Sequence, residues 1–414
     1  MKKRTILSMM LLAYVMVSST SSCSNDDGNN GVNNQTSRPI DNATRAVFMK
    51  INDMAFPFFR QVCSDVKPDE NFMISPLSLT EVLAMLANGA NGATQKQILE
   101  VMRLDTISSA RASKALQIFN SHLMATDKQS QMSLANSQWI DDDISVKDEY
   151  IEYNEEFLDA ETFNQDLCTE QTMYDINSWC SRKTYGCIDE LLYRPLSDEA
   201  KMVLINALYF KGIWKSKFDK QSTSDDKFTN YDGTMTPVKM MHQTQAFSAC
   251  QGDKMDIVRF PYGNGSFYMD VVLPHEDETL DDCMDDIDLK TMNGYLRPYK
   301  VTVSMPRMNL NYRRSLKNDL KSMGMTNAFS WIDADFSGIS NTKLSVSFIE
   351  QVTSIKVDED GTEAAATTFS GMVDTAPTPV EVKPMTFTMN RPFVFLIRES
   401  QTGMVLFMGR MVKF

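Results

Sequence analysis

Apolar residues recur at helical spacing in the first part of the chain. Between Thr44 and Cys63 they repeat every three to four positions, which predicts one long amphipathic helix at the start of the domain. Ser75-Pro76 precedes a second apolar face, and proline favours the first position of a helix. Turn residues at 88–92 end that helix, and a further helix is predicted at 95–102.

The later part of the chain is rich in β-branched and aromatic runs that are typical of strands. Asn264-Gly265 divides one run in the way that favours a hairpin. Helices come first and strands later, without a regular alternation, and this order predicts an α+β fold. The predicted strands are 133–142, 202–214, 256–274, 300–310, 343–360 and 391–414.

Residues 1–22 have the pattern of a signal peptide. A basic start precedes an apolar stretch at 6–17, which is shorter than the roughly 20 residues that span a bilayer. Small residues then lead to Cys23, and this junction resembles the lipobox of bacterial lipoproteins, although Thr20 replaces the usual leucine. We expect lipidation at Cys23; the alternative is ordinary cleavage that leaves Cys23 as an incidental thiol.

Residues 23–44 are polar and too poor in apolar side chains to form a core. We interpret them as a lipid-anchored tether, with the folded domain at 45–414. The acidic residues after Cys23 resemble the surface-export signals of lipoproteins in the Bacteroides group. The expected location is therefore the outer membrane, reached by secretion across the inner membrane, with display at the surface.

Composition and charge narrow the possible partners and chemistry. The chain has 414 residues, 43% of them hydrophobic, which is typical of a globular protein. Its formal net charge of −13 opposes both nucleic acid and an anionic membrane surface, and no nucleic-acid partner is expected. Only three histidines are present, and no hydrolase, zinc, P-loop or dinucleotide motif occurs. The sequence therefore predicts neither an enzyme nor a site for a metal or cofactor.

Two further features leave structural alternatives open. The acidic clusters at 141–143 and 281–286 lack the ligand spacing of a calcium loop, and we interpret them as solvated turns. The six cysteines after Cys23 show no metal-binding spacing. Export would permit disulfides, but buried free thiols fit the sequence equally well.

The segment 357–369 reads VDEDGTEAAATTF and follows a strand-like run. By itself, the Glu-Ala-Ala-Ala stretch favours a short exposed helix. In its context, the string GTEAAATT resembles the hinge of the reactive-centre loop of serpins, and the resemblance extends from about residue 45 to Phe414. Other matching motifs are NFMISPLS (71–78), NALYFKGIW with Phe218 (206–218), FPYGNGSFYM (260–269), LKSMGMTNAF (320–329), RPFVFLIR (391–398) and FMGR (407–410).

The resemblance implies a metastable fold of three β-sheets and eight or nine helices with an exposed reactive-centre loop. A target protease cleaves this loop and becomes acylated, and the hinge then inserts as a new strand of the main sheet. Gly361 supplies backbone freedom at the point where the chain folds over. In the inserted strand, alternate side chains point to opposite faces of the sheet. The set that points inward carries no charge. The inward set is Thr362, Ala364, Ala366 and Thr368; the outward set is Glu363, Ala365 and Thr367.

The resemblance also assigns the cleaved bond and the moving parts of the sheet. Counting from the hinge glycine places the bond at Thr375–Ala376, but counting back from Arg391 shifts it, so 372–378 stays open. Small side chains there fit elastase-like serine proteases or papain-like cysteine proteases, and Asp374 keeps a granzyme- or caspase-like target open. Ser75, Ser78 and Asn206 would form the polar shutter, and Trp214 would pack at the breach where insertion starts.

One position departs from the family pattern. Gln351 stands where a histidine is frequent, which puts the shutter network in doubt. No basic helix face of the heparin-binding kind is evident. Small hinge residues favour a suicide inhibitor that forms a covalent complex with its target protease. We expect the protein to be a monomer that contacts the membrane through its N-terminal lipid. The alternative is a non-inhibitory binding protein on the same fold.

Overall fold

The computed structural model describes residues 40–288, 292, 294–362 and 383–414. Helices occupy most of the first part of this region and strands most of the later part, so the α+β prediction is confirmed. None of the helices described is long and apolar enough to span a membrane. The α-helices are α1 (Asn42–Asn52), α2 (Ala55–Asp65), α3 (Pro76–Gly89), α4 (Gly92–Val101), α5 (Ser109–Thr126), α6 (Asp148–Leu158), α7 (Glu170–Lys183), α8 (Leu280–Cys283) and α9 (Lys317–Ser322).

The prediction of a single helix over 44–63 is wrong, because the chain forms two helices there, α1 and α2. Pro57 has no backbone N–H, and its ring crowds the carbonyl four residues earlier, so a helix cannot run through 53–57 unbroken. The next two helices are confirmed. Ser75 caps α3, and its side-chain oxygen accepts a hydrogen bond of 3.1 Å from the backbone N–H of Ser78.

The predicted strands are present, but the run at 300–310 belongs to two strands of different sheets. Arg307 separates these strands, and the apolar pattern on both sides gives no sign of the boundary. The strands are β1 (Phe72–Ile74), β2 (Gln131–Ile140), β3 (Ala160–Asn164), β4 (Met202–Ile213), β5 (Ser224–Thr229), β6 (Met235–Gln251), β7 (Met255–Tyr262), β8 (Phe267–Pro274), β9 (Arg297–Pro306), β10 (Met308–Ser315), β11 (Phe348–Asp358), β12 (Gly361–Thr362), β13 (Pro384–Thr388), β14 (Phe393–Glu399) and β15 (Val405–Met411).

The strands form two hydrogen-bonded networks. One is a six-stranded sheet with the order β10-β11-β12-β4-β2-β3, and we call it the central sheet. The other has nine strands in the order β1-β15-β14-β8-β7-β6-β9-β13, with β5 paired to β6. The 17-residue strand β6 pairs with β5 near its start and with β7 near its end. It therefore joins two groups of strands, which together with the central sheet correspond to the three expected sheets.

Both faces of β4 are covered over most of its length. Alternate residues of β4 point in opposite directions, so Leu204 and Leu208 belong to the main core. Val203 and Ile205 belong to a second core cluster, which also contains Trp179 of α7. Strand β4 is thus buried on both sides along 202–210, whereas Lys211 and Ile213 beside the hinge are half-buried.

Candidate functional site at the hinge

Two residues of the predicted hinge lie inside the central sheet. Gly361 and Thr362 form β12, which is hydrogen-bonded to β11 on one side and to β4 on the other. Farther along the sheet, Phe348–Thr353 of β11 pairs with β4 directly and in parallel. The hinge therefore begins as a short wedge between two strands that are otherwise neighbours.

Gly361 is required by a close backbone approach as well as by its conformation. Its φ angle of +150° lies in a region that side-chain-bearing residues rarely adopt. A Cβ atom at this position would lie 2.0 Å from the carbonyl oxygen of Gly212 on β4. Any larger residue would therefore push the start of the hinge away from the sheet.

Thr362 is 1% exposed, and its hydroxyl has a partner in the neighbouring network. The Thr362 Oγ1 and Tyr262 Oη atoms lie 2.7 Å apart. The Tyr262 ring stacks on Trp214, with centroids 4.4 Å apart and an angle of 10° between the planes. Burial raises the pKa of Tyr262 far above its ordinary value, so the phenol stays protonated and available for this hydrogen bond.

Trp214 joins β4 to the segment that precedes the hinge. Its indole Nε1 donates to the carbonyl of Asp358 at 2.9 Å, and its backbone N–H donates to the carbonyl of Asp360, also at 2.9 Å. The structure thus places the predicted breach residue directly beside the first hinge residues. Its ring and its backbone both define the path along which the chain turns into the sheet.

A buried carboxylate fixes the turn between β11 and β12. Glu359 is 2% exposed. Its Oε1 atom accepts hydrogen bonds from Arg307 Nε at 2.9 Å and from Arg307 Nη2 at 2.6 Å. The hydroxyl of Thr223 donates to the same carboxylate at 2.5 Å. Burial by itself would raise the pKa of Glu359, but the bonds from Arg307 and Thr223 outweigh it and hold the pKa below the ordinary value. We call Glu359, Arg307 and Thr223 the Glu359 cluster.

The next acid, Asp360, is held from the outside of the turn. Lys220 Nζ lies 2.6 Å and Lys217 Nζ 3.0 Å from its carboxylate oxygens. The hydrogen bond from Lys220 is the main reason why the pKa of Asp360 is lowered. Both lysines are considerably exposed, so this pair orients the turn more than it stabilises the fold.

Sequence reasoning did not single out Tyr262 or the Glu359 cluster. The run Asp358-Glu359-Asp360 before the hinge glycine was an available signal, because adjacent acids at the end of a strand need cationic partners if one of them is buried. No feature of the sequence connects Tyr262 to Thr362. They lie 100 positions apart and meet only through the arrangement of the strands.

The structure brings the three predicted shutter residues close together beneath β4. The Ser78 hydroxyl donates to Asn206 Oδ1, and Asn206 Nδ2 donates to Asn136 Oδ1 at 2.7 Å. The Ser75 hydroxyl donates to the carbonyl of Leu406 at 2.6 Å. These side chains connect α3, β2, β4 and β15 through polar contacts within the buried core.

Gln351 completes the shutter network with a neutral side chain. Its Oε1 accepts from the backbone N–H of Ser75 and its Nε2 donates to the Ser75 carbonyl, each at 2.9 Å. Gln351 is also the register partner of Asn206 across β11 and β4. Where a histidine would introduce a titratable group, this amide satisfies two buried backbone groups without one.

A buried acid extends the network away from the hinge. Glu81 on α3 accepts hydrogen bonds from Asn120 at 3.1 Å and Asn136 at 3.3 Å. Burial raises the pKa of Glu81 to about 8, because the loss of water around its carboxyl group outweighs the hydrogen bonds from Asn120 and Asn136. The shutter therefore contains one group whose charge state changes near neutral pH.

Several predicted site residues lie outside the described residues. These are Cys23, the hinge residues Glu363, Ala364, Ala365, Ala366, Thr367 and Thr368, and the candidate reactive bond Thr375–Ala376. The chain is described again from residue 383, just before β13, which pairs with β9 in the nine-stranded network. The segment 363–382 thus connects an inner position of the central sheet to a different sheet.

The acidic cluster at 141–143 has a protein cation in contact with it. Oxygens of Asp141, Asp142 and Asp143 lie within 4.8 Å of one another. Lys201 Nζ lies 2.8 Å from Asp141 and 3.6 Å from Asp143. This ammonium group balances part of the negative charge of the cluster.

Most of the chain matches a known protein family. The family model described as "Serpin (serine protease inhibitor)" matches residues 49–414, so the chain belongs to the serpin family. The fold of this family agrees with the sheets and helices described above.

Individual relatives cover almost the same region. Glia-derived nexin from Rattus norvegicus is 32% identical over 375 residues, covering 87% of this chain and 92% of the relative. The native crystal structure of a thermophilic serpin, tengpin, matches with a TM-score of 0.80 and 28% identity, covering 92% of this chain and 96% of that one. The complex of thyroxine-binding globulin with thyroxine matches with a TM-score of 0.79 and 25% identity, covering 90% and 99%.

Proposed function

We propose that this protein is a suicide inhibitor of extracellular proteases. The observation that carries the proposal is the position of β12 between β11 and β4, because it defines where the rest of the hinge enters the sheet. Insertion exchanges the direct pairing of Phe348–Thr353 with β4 for two new ladders, one on each side of the inserted strand. Each added residue can then form more interstrand hydrogen bonds than the closed sheet provides, so insertion is favourable.

Trapping follows from the order of the chemical steps. The nucleophile of the protease attacks the carbonyl carbon of the residue before the cleaved bond, and the amine of the C-terminal fragment leaves. The hinge segment is then free to extend beyond Thr362, carrying the acylated protease along the sheet. Continued alternation from buried Thr362 places Ala364, Ala366 and Thr368 on the same side of the sheet as Thr362. None of these side chains would bury a charge.

The target class follows from the residues around the candidate bond. The segment 372–378 carries small side chains and no lysine or arginine, which suits the shallow pocket of elastase-like serine proteases. Papain-like cysteine proteases are the second candidate target, and Thr375–Ala376 is the first candidate bond.

Location and maturation form part of the same proposal. We propose cleavage after residue 22, lipidation at Cys23, a tether at 23–44 and a monomeric serpin domain at 45–414. The lipid would hold the inhibitor at the outer membrane, where it meets proteases from outside the cell.

The test is to mix the purified protein with elastase and analyse the products by denaturing electrophoresis and mass spectrometry. We expect a complex that survives boiling and a released peptide with a new N-terminus between residues 373 and 379. Thr362→Arg would place a charge in the 1% exposed position and should give cleavage without a stable complex. Thr362→Ser, which keeps the hydroxyl that contacts Tyr262 and adds no charge, is the matched control and should still form the complex.

A non-inhibitory binding protein is the second candidate, and the likeness to thyroxine-binding globulin in complex with thyroxine is the observation that favours it. Cleavage by elastase-, papain- and subtilisin-type proteases without a trapped complex would support this candidate. A cleaved form with no gain in thermal stability would support it as well, because loop insertion is the source of that gain.

A further inference from the structure

Two large apolar side chains are exposed to solvent on one turn after α9. Trp331 is 55% exposed and its neighbour Ile332 is 81% exposed. The other tryptophans of the chain, Trp139, Trp179 and Trp214, are each 3% exposed or less. An adjacent pair of bulky, exposed apolar side chains is a candidate surface for binding a partner.

The turn is held in place by local bonds. The hydroxyl of Ser330 donates to the Asp333 carboxylate at 2.7 Å, and the backbone N–H of Asp333 donates back to Ser330 Oγ at 3.2 Å. Lys343 Nζ donates to the carbonyl of Ile332 at 2.7 Å. We call residues 330–333 the Trp331 turn. Its two apolar side chains are therefore presented by an organised backbone, which reduces the entropy lost on binding.

Two lysines of α9 lie near the residue that precedes the turn. The Nζ atoms of Lys317 and Lys321 lie 5.6 and 5.9 Å from the centre of the buried Phe329 ring, next to the turn in sequence. With Lys343 they supply three positive charges, against the carboxylates of Asp333 and Asp335. Among these five groups the positive charges exceed the negative ones by one, although the whole chain carries −13.

We propose that the Trp331 turn docks on an anionic lipid bilayer. Trp331 and Ile332 would enter the headgroup region, and the lysines would face lipid phosphates. The acidic charge elsewhere is screened over about 8–10 Å at physiological salt, so the nearby lysines dominate. Two adjacent residues on a protruding turn offer far less area than the roughly 800 Å² per partner of a stable protein interface, which favours a membrane over a protein. This docking goes beyond the proposed inhibition and does not require a lipid at Cys23.

The test uses the chain from residue 23 onward with Cys23→Ser, so that no attached lipid contributes. Vesicles of phosphatidylcholine alone, or mixed equally with phosphatidylglycerol, are prepared with and without brominated acyl chains. Because Trp331 is the exposed tryptophan, we expect brominated anionic vesicles to quench its fluorescence and the same vesicles to protect it from acrylamide. Cosedimentation gives the partition coefficient. Trp331→Ser with Ile332→Ser should lower this coefficient about tenfold or more.

Charge and position are tested separately. Lys321→Glu with Lys343→Glu should weaken binding to the anionic vesicles and reduce its dependence on salt. Tyr193→Ser removes a 73% exposed aromatic side chain from another segment and should leave the partition coefficient unchanged. All variants should keep the thermal midpoint and the reaction with elastase of the parent chain, which separates this proposal from the proposed inhibition.

Four results would overturn the proposal. The first is the absence of vesicle binding by the parent chain, and the second is equal binding by the Trp331-Ile332 double variant. Equal binding to neutral vesicles would refute the assignment of an anionic partner. A concentration-dependent dimer in analytical ultracentrifugation that disappears in the double variant would overturn the proposal in favour of a second copy of this chain.

Discussion

The side-chain oxygens of Tyr262 and Thr362 lie 2.7 Å apart in a space closed to solvent, although one residue ends β7 and the other belongs to the hinge. This contact joins the nine-stranded network to the central sheet at the point where loop insertion would begin. The first step of strand addition is therefore already present in the intact chain.

Tyr262→Phe should loosen the start of the hinge. The substitution keeps the ring that stacks on Trp214 but leaves the buried Thr362 hydroxyl without its partner, at a cost of about 1–3 kcal/mol. We expect faster amide hydrogen exchange in the peptide that contains Val357–Thr362. Tyr268→Phe, at a second buried tyrosine, is the control and should leave that exchange rate unchanged. Unchanged exchange in Tyr262→Phe would show that the hydrogen bond does not hold the hinge.

Arg307→Met should destabilise the native state through the Glu359 cluster. Removing the guanidinium leaves a carboxylate that is 2% exposed with Thr223 as its remaining side-chain donor. Because Arg307 itself is 45% exposed, we expect a loss of about 1–3 kcal/mol, less than for a fully buried pair. Urea denaturation measures the loss. Adding Glu359→Gln should recover part of it, and a double variant no more stable than Arg307→Met would contradict the pairing.

Glu81 should make stability fall as the pH rises. Its pKa is about 8 in the native state against an ordinary value of 4.5, so the native state holds more protons than the unfolded state between these values. The stabilising contribution of protonated Glu81 to the unfolding free energy is therefore fully present below about pH 4.5. It is lost as the pH rises toward 8, and the total loss is on the order of a few kcal/mol.

Glu81→Gln should flatten the fall in the unfolding free energy between pH 5 and 8, measured by denaturant titration at several pH values. Glu100→Gln removes a half-exposed carboxylate from α4 and controls for the change in net charge. The same slope in the parent chain and in Glu81→Gln would assign the pH dependence to other groups.

Gln351→Met should weaken the shutter. Methionine keeps the length of the side chain but cannot pair with the backbone of Ser75. The N–H of Ser75 then loses its partner inside the core, whereas the carbonyl keeps the bond of 3.1 Å from the Leu79 N–H. The lost partner costs about 1–3 kcal/mol, so unfolding should occur at a lower urea concentration. Gln243→Met is the matched control, because the buried Oε1 of Gln243 makes no hydrogen bond within the described residues. A loss as large at Gln243 as at Gln351 would contradict this explanation.

The local pattern was sufficient for much of the fold. Apolar spacing and Ser75-Pro76 located α3, Asn264-Gly265 located the β7–β8 hairpin, and runs of β-branched and aromatic residues located most strands of the later half. These features depend on neighbours in the chain. The pattern did not reveal the break between α1 and α2, because a proline in the first turn of a second helix also fits an apolar period of three to four.

Family motifs carried the hinge and shutter positions, but the contacts that give them physical meaning came from the tertiary structure. Gly361 was expected for its backbone freedom, whereas the carbonyl of Gly212 also excludes any larger side chain there. The pairing of Glu359 with Arg307 and of Tyr262 with Thr362 joins residues 52 and 100 positions apart.

The sequence by itself determined the α+β class, the order of the elements and the family, because all three depend on local periodicity and short motifs. Only the tertiary structure decided which distant residues meet around the first hinge residues. Strand order and register bring those side chains together, and a single sequence does not state the register between strands that are far apart in the chain.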